Sequence, residues 1–324
     1  MTFTHRWRRL VQWAGRRERA TALALFRIGI GLTVLGTLLS IVVHGLVDVL
    51  FVDVSAGGWF ALTPTWPVRI LGGPTPTTAW ILVSGTLVAS TALIVGAGGR
   101  LAAAVTLLGW IGLTGLLRDA GGSFVALLRN ALWLLVLAQS TAILSVDCVR
   151  RTGRWCSDAR VPAWPRWLAV YQLALMYFTA GLHKVSAHWI PGGDHTALYD
   201  ILQWPAWIRF EPSWLSWAAP LTKVATVATW CFEVTAPLWL LAMWWHATRD
   251  RPGRLRALAN RAHLRWWYFG FGVALHLGTW LLLEVGPFSP AALSLYACLL
   301  TPDDAARLRA SLLRRTDAVD ACAP

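Results

Sequence analysis

The stretch that decides the fold covers residues 167–193 and reads WLAVYQLALMYFTAGLHKVSAHWIPGG. Its first part predicts an apolar helix over about 167–182, followed by Lys184, two histidines, a tryptophan and a Pro-Gly-Gly turn. The chain has 29 lysines and arginines together, and only Lys184 and Lys223 are lysines. A lysine at the mouth of an apolar helix is either an anchor at a membrane surface or a reactive group.

Composition places the chain in a membrane. Of its 324 residues, 56 % are hydrophobic and 14 % are charged, whereas soluble proteins carry about 25 % charged residues. The apolar residues form blocks of about 20, the length that crosses the hydrocarbon core of a bilayer. The 22 tryptophans favour the same interpretation, because indole rings concentrate at the membrane–water boundary. The sequence therefore predicts an all-α, polytopic integral membrane helix bundle.

We expect about eight transmembrane helices, with six as the lower bound. The predicted spans are residues 20–47, 79–97, 101–117, 124–146, 167–182, 221–245, 266–283 and 291–300. Residues 1–19 are predicted to be a basic cytoplasmic N-terminus, 20–300 a single transmembrane domain, and 301–324 a basic cytoplasmic tail.

Charge predicts the orientation of these spans. With eight spans and a cytoplasmic N-terminus, 22 lysines and arginines lie in cytoplasmic segments and six on the other side, as the positive-inside rule requires. We therefore expect a multi-pass protein of the plasma membrane, with both termini inside and Lys184 near the extracytoplasmic side. The net charge of +13 is carried by short loops that face anionic lipid. Membrane lipids, and not nucleic acid, are the expected partners.

Charged residues at membrane depth are costly and mark candidate functional sites. Glu233 and His276 fall at similar depth on consecutive antiparallel helices, so we expect them to pair, either as a proton relay or as a buried structural pair. Pro237 removes the hydrogen bond to the Glu233 carbonyl, a feature of broken helices that line cavities. Arg27 lies two turns into the first span and is expected to snorkel to the cytoplasmic surface.

Lys184 has two interpretations. Against apolar walls its charged form is disfavoured, so the amine can serve as a base. Tyr177 shares its helix face, and His188 can reach it if the helix continues. Alternatively, Lys184 is a snorkelling cation beside an interfacial Trp189. The spacing of His183, His188 and His195 fits no metal site, and the five cysteines show no ligand pattern, so no metal is expected.

Several motifs together resemble the HTTM (horizontally transferred transmembrane) domain, the membrane part of vitamin K-dependent γ-carboxylase and its bacterial relatives. The matching residues are Leu25-Phe26-Arg27, Ser145-Val146-Asp147, Val161-Pro162-x-Trp164, Gln172, Tyr177-Phe178-x-Ala180-Gly181, Lys184, Trp189, Gly192, Glu233 and His276. The resemblance implies that Lys184 is a catalytic base acting on reduced vitamin K or menaquinol, with Glu233 and His276 supporting it. It also implies that Tyr177, His183, His188 and Trp189 bind substrate. Arg27 and Asp147 are then structural residues.

The chain departs from the carboxylase in ways that change this expectation. Gly121-Gly122 and Ser123-Phe124 stand where the carboxylase has an Asn-His pair, and His183 replaces a second lysine. No counterpart of the lumenal domain is visible, so carboxylation of a protein is not expected. The resemblance instead implies a carboxylase-like or quinol epoxidase-like lyase. We expect a cavity that opens outward at Lys184 and takes a quinol, a lipid-like molecule or a peptide. The bias toward arginine indicates a bacterium with a GC-rich genome, of the actinobacterial type.

Two alternatives remain open. Ala197-Leu198-Tyr199 resembles a pattern in the sporulation-delaying toxin maturation protein, which implies a non-catalytic factor acting with a secreted peptide or a small partner protein. A proton-coupled transporter that uses Glu233 and His276 as a relay is the other alternative.

Overall fold

A computed structural model describes residues 3–117, 122–304 and 307. Helices dominate these residues, which confirms the all-α class, and one two-stranded sheet accompanies them. The chain divides into two compact units, residues 1–167 with 297–324, and residues 168–296. The predicted tail at 301–324 lies outside the described residues except for 301–304 and Arg307.

The first unit contains most of the long apolar helices. Its elements are α1 (Phe3–Ala14), β1 (Arg17–Arg19), α2 (Thr21–Val43), α3 (Val47–Phe51), α4 (Trp66–Ile70), α5 (Pro76–Val95), α6 (Gly99–Thr114), α7 (Ser123–Leu137), α8 (Val146–Thr152), β2 (Arg160–Pro162) and a 3₁₀ turn at Ala297–Leu299. The ends of α5 follow local sequence rules. The Thr75 side chain accepts the Thr78 N–H at its N-cap, Pro76 occupies the first turn, and Gly96 closes it with φ 69°.

The core of this unit is the packing of α5 against α2 and α6. Two glycines bring these helices together. A Cβ on Gly31 of α2 would lie 2.7 Å from Ile94 Cγ1, and a Cβ on Gly109 of α6 would lie 1.8 Å from Thr86 Oγ1. Close approach at small residues is the usual way in which membrane helices associate, because apolar burial alone gives them little preference over lipid.

The structure corrects the fourth predicted span and the role of Arg27. The span expected over 124–146 ends as a helix at Leu137, and α8 begins only at Val146. Arg27 does not snorkel. Its side chain is fully buried and donates hydrogen bonds to the carbonyl oxygens of Ser140 (3.1 Å) and Leu144 (2.5 Å), within the irregular segment between those helices. Carbonyls outside a helix need donors when they are buried, and Arg27 supplies them.

Asp147, which was expected to be a structural residue, forms two hydrogen bonds to the turn between α5 and α6. Its Oδ1 accepts the N–H of Gly98 (3.2 Å), just before α6 begins, and its own N–H donates to the carbonyl of Gly96 (3.1 Å). Its carboxylate also interacts electrostatically with Arg27. The turn between α5 and α6 is therefore tied to the start of α8.

The segment predicted as a basic cytoplasmic N-terminus, residues 1–19, contains α1 and β1. Strand β1 pairs antiparallel with β2, with Glu18 opposite Val161. Glu18 forms a two-point ion pair with Arg166 (2.5 and 2.8 Å), and Arg166 also donates to the Cys298 carbonyl (3.1 Å). Glu18, the only acidic residue in the basic segment 1–19, thus pairs with the buried Arg166, which lies 148 residues later in the sequence.

The second unit contains the remaining helices. They are α9 (Trp164–His183, whose first four residues belong to the first unit), α10 (Ala197–Ile201), a 3₁₀ turn at Pro212–Trp214, α11 (Leu215–Val234), α12 (Ala236–Ala247), α13 (Arg254–Arg261), α14 (Leu264–Leu282) and α15 (Phe288–Tyr296). Its core is aromatic. The Trp239 ring stacks on Tyr268 with centroids 5.9 Å apart, and Phe232 lies 4.9 Å from Phe271.

The sixth predicted span is a broken helix, as Pro237 indicated. The chain bends by 56° between the helical segment that ends at Val234 and α12. At the break, the Thr235 carbonyl accepts hydrogen bonds from the Leu238 N–H (2.8 Å) and the Tyr268 hydroxyl (3.1 Å). The interruption therefore leaves no unsatisfied acceptor at Thr235, as a break inside a membrane requires.

Two helices among the described residues, α2 and α5, are long and apolar enough to cross a membrane, and a third span is added if the bent pair is counted as one. Helices α6 and α7 and the segment Phe288–Leu299 are apolar but shorter. Helices α9 and α14 have 20 and 19 residues, but their aromatic and polar side chains lower their mean hydropathy. The count of eight spans, their orientation and the single domain over 20–300 stay predictions.

Candidate functional site

Lys184 lies immediately beyond the end of α9. The helix ends at His183, and the Lys184 N–H donates to the Gly181 carbonyl (3.2 Å). The Lys184 ammonium forms an ion pair with the carboxylate of Glu233, the penultimate residue of α11. The exposed fractions of the two side chains are 22 % and 9 %. The lysine is thus neither stretched freely into solvent nor fully enclosed.

Trp189 covers another side of the amine. The Lys184 Nζ lies 4.9 Å from the centre of the indole ring, within the range of a cation–π interaction. A carboxylate and an aromatic face therefore fix the position of this nitrogen together. The loop that carries Trp189 follows α9 directly and folds back through the Trp189 N–H bond to the Ser186 carbonyl (2.9 Å).

Gly181 allows α9 to approach α11 at this point. A Cβ at this position would lie 2.9 Å from Glu233 Cβ and 2.9 Å from the Val234 nitrogen, which is closer than real Cβ contacts. Gly181 lies one turn before Lys184. The close approach of α9 and α11 at Gly181 therefore brings the Lys184 amine within reach of the Glu233 carboxylate.

A second polar cluster lies two turns deeper along α9. The Tyr177 hydroxyl contacts His276 Nε2 on α14 (2.5 Å) and the Tyr296 hydroxyl at the end of α15 (2.8 Å). All three side chains are buried. Gly272 makes room for this contact, because a Cβ there would lie 1.7 Å from the Tyr296 hydroxyl. Three helices therefore meet at one hydrogen-bonded triad, Tyr177, His276 and Tyr296.

The ion pair and the triad are neighbours. Tyr177 lies in α9, and Lys184 follows the end of that helix, seven residues later in the sequence. Glu233 interacts electrostatically with Tyr177, and the Tyr177 ring lies 4.9 Å from the ring of Phe232, the residue before Glu233. The Nδ1 atom of His276 is buried and has no hydrogen-bond partner among the described residues.

The expected direct pair of Glu233 with His276 is wrong. Glu233 pairs with Lys184, and His276 pairs with Tyr177. Tyr177 lies in α9, and Lys184 is the first residue after it. The sequence analysis named Lys184, Glu233, Tyr177 and His276 but did not predict these pairings. It gave no role to Tyr296, whose only signal was a polar hydroxyl in an apolar segment.

The histidines after Tyr177 do not gather around Lys184. His183 Nδ1 bonds to the Thr179 carbonyl of its own helix (2.7 Å) and is exposed. His188 cannot reach Lys184 as a next-turn residue, because α9 ends at His183; its Nδ1 instead contacts Asp194 Oδ1 (2.9 Å) and Thr196 Oγ1 (2.9 Å). The Thr196 N–H donates to Asp194 and lowers the pKa of that carboxyl. This group closes the loop after α9.

Among the residues that the structure describes, no group of three or more histidine, cysteine, aspartate or glutamate side chains could hold a metal ion. The chemistry of the site is that of an amine, a carboxylate, a phenol pair and an imidazole. Such groups exchange protons and orient polar groups of a ligand.

The family model described as the HTTM domain matches residues 16–253. The chain belongs to the HTTM family. The matched region contains Lys184, Glu233 and Tyr177 and ends before His276 and Tyr296. No curated protein and no solved structure matches the chain. Membership in the HTTM family, together with the apolar helices, makes this a membrane protein.

Proposed function

We propose that this HTTM protein is a membrane enzyme in which Lys184 removes a proton from the hydroxyl group of a lipid-soluble hydroquinone, such as reduced vitamin K or menaquinol. The observation that carries the proposal is the ion pair of Lys184 with Glu233 beside the Trp189 ring. A base must be held within hydrogen-bond reach of the proton that it takes. Here two groups hold the amine, and part of its surface stays accessible.

Glu233 has a second task in this mechanism. The Lys184 ammonium becomes a base only after it releases a proton. The Glu233 carboxylate, which is hydrogen-bonded to Lys184 Nζ, is the group that accepts that proton. The triad of Tyr177, His276 and Tyr296 interacts with Glu233 electrostatically, through Tyr177, and is a second set of proton-exchanging groups. Its hydroxyl and imidazole groups can each give up one proton while accepting another, which supports a relay away from Lys184.

The residues at the site fit the proposed substrate. A hydroquinone presents an acidic hydroxyl on an apolar aromatic ring, and the Lys184 region presents an amine next to the indole of Trp189. Lys184 acts at the hydroxyl and Trp189 offers a face to the ring. His183 and His188 are engaged with backbone and loop groups, so we assign them to loop structure rather than to the substrate.

The test is the consumption of reduced menaquinone by purified protein in lipid nanodiscs under oxygen. Lys184→Ala is expected to lower the rate to the level of empty nanodiscs, and Glu233→Gln to lower it by about 10²-fold, the range typical of acid–base groups. Lys223→Ala is the matched control, because the other lysine is exposed on α11. Wild-type turnover in Lys184→Ala would contradict the proposal.

One observation favours a transporter as the second candidate. The helix that carries Glu233 breaks directly after it, with a bend of 56°, and broken helices form the ion and substrate sites of many transporters. If the protein is a transporter, Glu233→Gln is expected to abolish proton-coupled uptake into proteoliposomes. Neither the wild type nor any variant is then expected to consume the hydroquinone. Uptake that is insensitive to Glu233→Gln would remove this candidate.

The remaining hypotheses are proposals that rest on the sequence. Residues 197–199, which resemble the pattern of the toxin maturation protein, begin α10. The Leu198 N–H donates to Thr226 Oγ1 of α11 (3.2 Å). A partnership with a secreted peptide would be tested by co-expression with small secreted precursors encoded nearby. The location in the plasma membrane, with both termini inside and Lys184 outside, is supported by the charge asymmetry and is tested by cysteine accessibility.

A further inference from the structure

A cavity of about 470 Å³ in the first unit is lined in part by arginines. Four of its ten lining residues are Arg17, Arg100, Arg151 and Arg160, and none of the described lining residues is acidic. The four come from separate elements, β1, the start of α6, α8 and β2. Folding of the chain therefore brings four positive charges to one cavity that lies in a different unit from Lys184.

Hydrogen bonds hold two of the four guanidinium groups in position. Arg17 Nη2 donates to the Arg160 carbonyl across the β1–β2 pair (2.7 Å), and Arg151 Nη2 donates to the Thr141 carbonyl (2.9 Å). Each bond uses one of the five N–H donors of its guanidinium group. The remaining donors are available to a ligand in the cavity.

The nearby carboxylates are engaged elsewhere. Glu18 pairs with Arg166, Asp158 lies 3.7 Å from Arg19, and Asp147 accepts the Gly98 N–H. Within the described part of the chain, none of the four cavity arginines forms an ion pair with a carboxylate. All four arginines are exposed, so solvent screens their repulsion. Their shared sign still makes the cavity positive, and this attracts an anion.

The chemistry of arginine selects the kind of anion. A guanidinium group binds phosphate oxygens through two parallel N–H bonds, which gives both strength and orientation. The volume lies in the range of small-molecule sites and accommodates a phosphate together with the group that carries it. We propose that the arginine cavity binds a phosphate ester, supplied either by the headgroup of an anionic phospholipid or by a free phosphorylated compound.

The lipid source agrees with the predicted orientation. All four arginines belong to segments that the charge asymmetry assigns to the cytoplasmic side, where the leaflet is anionic and basic pockets between helices take phospholipid headgroups. The family match spans all four positions. This site is independent of the chemistry proposed for Lys184.

The experiment measures dissociation constants of the full chain, in neutral detergent, for dioctanoyl phosphatidylglycerol, dioctanoyl phosphatidylcholine and glycerol 3-phosphate. The test variant is Arg100→Gln with Arg160→Gln. The matched control is Arg150→Gln with Arg254→Gln, which removes the same charge from exposed residues outside the cavity. We expect saturable binding of phosphatidylglycerol, weakened at least about tenfold in the test variant and unchanged within about twofold in the control.

The outcomes separate the two sources. Binding of phosphatidylglycerol that glycerol 3-phosphate does not displace supports the lipid headgroup, and binding of glycerol 3-phosphate with the same loss in the test variant supports a free phosphate ester. Arg100→Gln alone weakens binding in the same direction and replaces the double variant if that one does not fold. The proposal is overturned if neither probe saturates, or if both double variants weaken binding equally.

Discussion

Lys184, the first residue after α9, and Glu233, the penultimate residue of α11, form an ion pair that joins the ends of two helices. Removing one partner from a largely buried pair leaves the other charge without compensation. We expect Lys184→Met and Glu233→Leu each to lower the free energy of unfolding by about 1–3 kcal/mol. The double variant is expected to lower it by less than the sum.

The measurement is a double-mutant cycle by chemical unfolding in detergent micelles. A coupling energy near zero would show that the two side chains do not stabilise each other, and the pair would then be incidental to the fold. The cycle isolates the pairwise contribution because both replacements remove charge without adding a new polar group.

Tyr177→Phe tests the buried triad. The change removes one hydroxyl and leaves His276 Nε2 and the Tyr296 hydroxyl without their partner, which is expected to cost about 1–3 kcal/mol of stability. Tyr171→Phe is the control, because Tyr171 lies on the same helix and is 49 % exposed. Thermal unfolding of the two variants gives the comparison, and equal melting temperatures would contradict a role for the triad.

Gly272→Ala tests the geometry of the same triad from α14. A Cβ at position 272 would lie 1.7 Å from the Tyr296 hydroxyl, so that hydroxyl must move and give up its contact with Tyr177. Gly278→Ala on the same helix meets nothing within 4 Å and is expected to be neutral or slightly stabilising, because alanine favours a helix. We expect Gly272→Ala to cost about 1–3 kcal/mol, read from the midpoint of thermal unfolding. Equal effects of the two substitutions would be inconsistent with the contact.

Arg27→Lys tests the structural role of the buried guanidinium. Arg27 reaches the carbonyls of Ser140, Leu144 and Ile94 (3.1, 2.5 and 3.4 Å). A lysine has three donors on one atom and cannot span these positions. We expect a loss of about 3 kcal/mol or more, measured by unfolding, whereas Arg69→Lys at an exposed site should stay near wild type. A stable Arg27→Lys protein would restore the snorkelling interpretation.

Hydropathy predicted where the helices lie but not how they end. The helix expected at 266–283 is found at Leu264–Leu282, and Pro237 correctly indicated a broken helix. The fourth predicted span was too long, because residues 138–145 include four polar side chains and are not helical, and because Arg27 donates hydrogen bonds to the carbonyl groups of Ser140 and Leu144 there. Such a tertiary contact leaves no periodic signal in the sequence.

The candidate site was predictable as a set of residues but not as a set of contacts. Charge at membrane depth singled out Lys184, Glu233 and His276, because burial of such groups is costly. Their pairing depends on the glycines at 181 and 272, which permit close approach and which cannot be recognised without the neighbouring helix. His188 was expected near Lys184 on the assumption that α9 continues, and the end of the helix at His183 removes it from the site.

The claim that Lys184 is a base is tested most directly by chemical rescue. Lys184→Ala protein in nanodiscs is supplied with reduced menaquinone and increasing concentrations of ethylamine, and hydroquinone consumption is followed under oxygen. The account predicts no activity without the amine and a rate that rises with the concentration of its neutral form. Activity of Lys184→Ala equal to wild type without any added amine would contradict it.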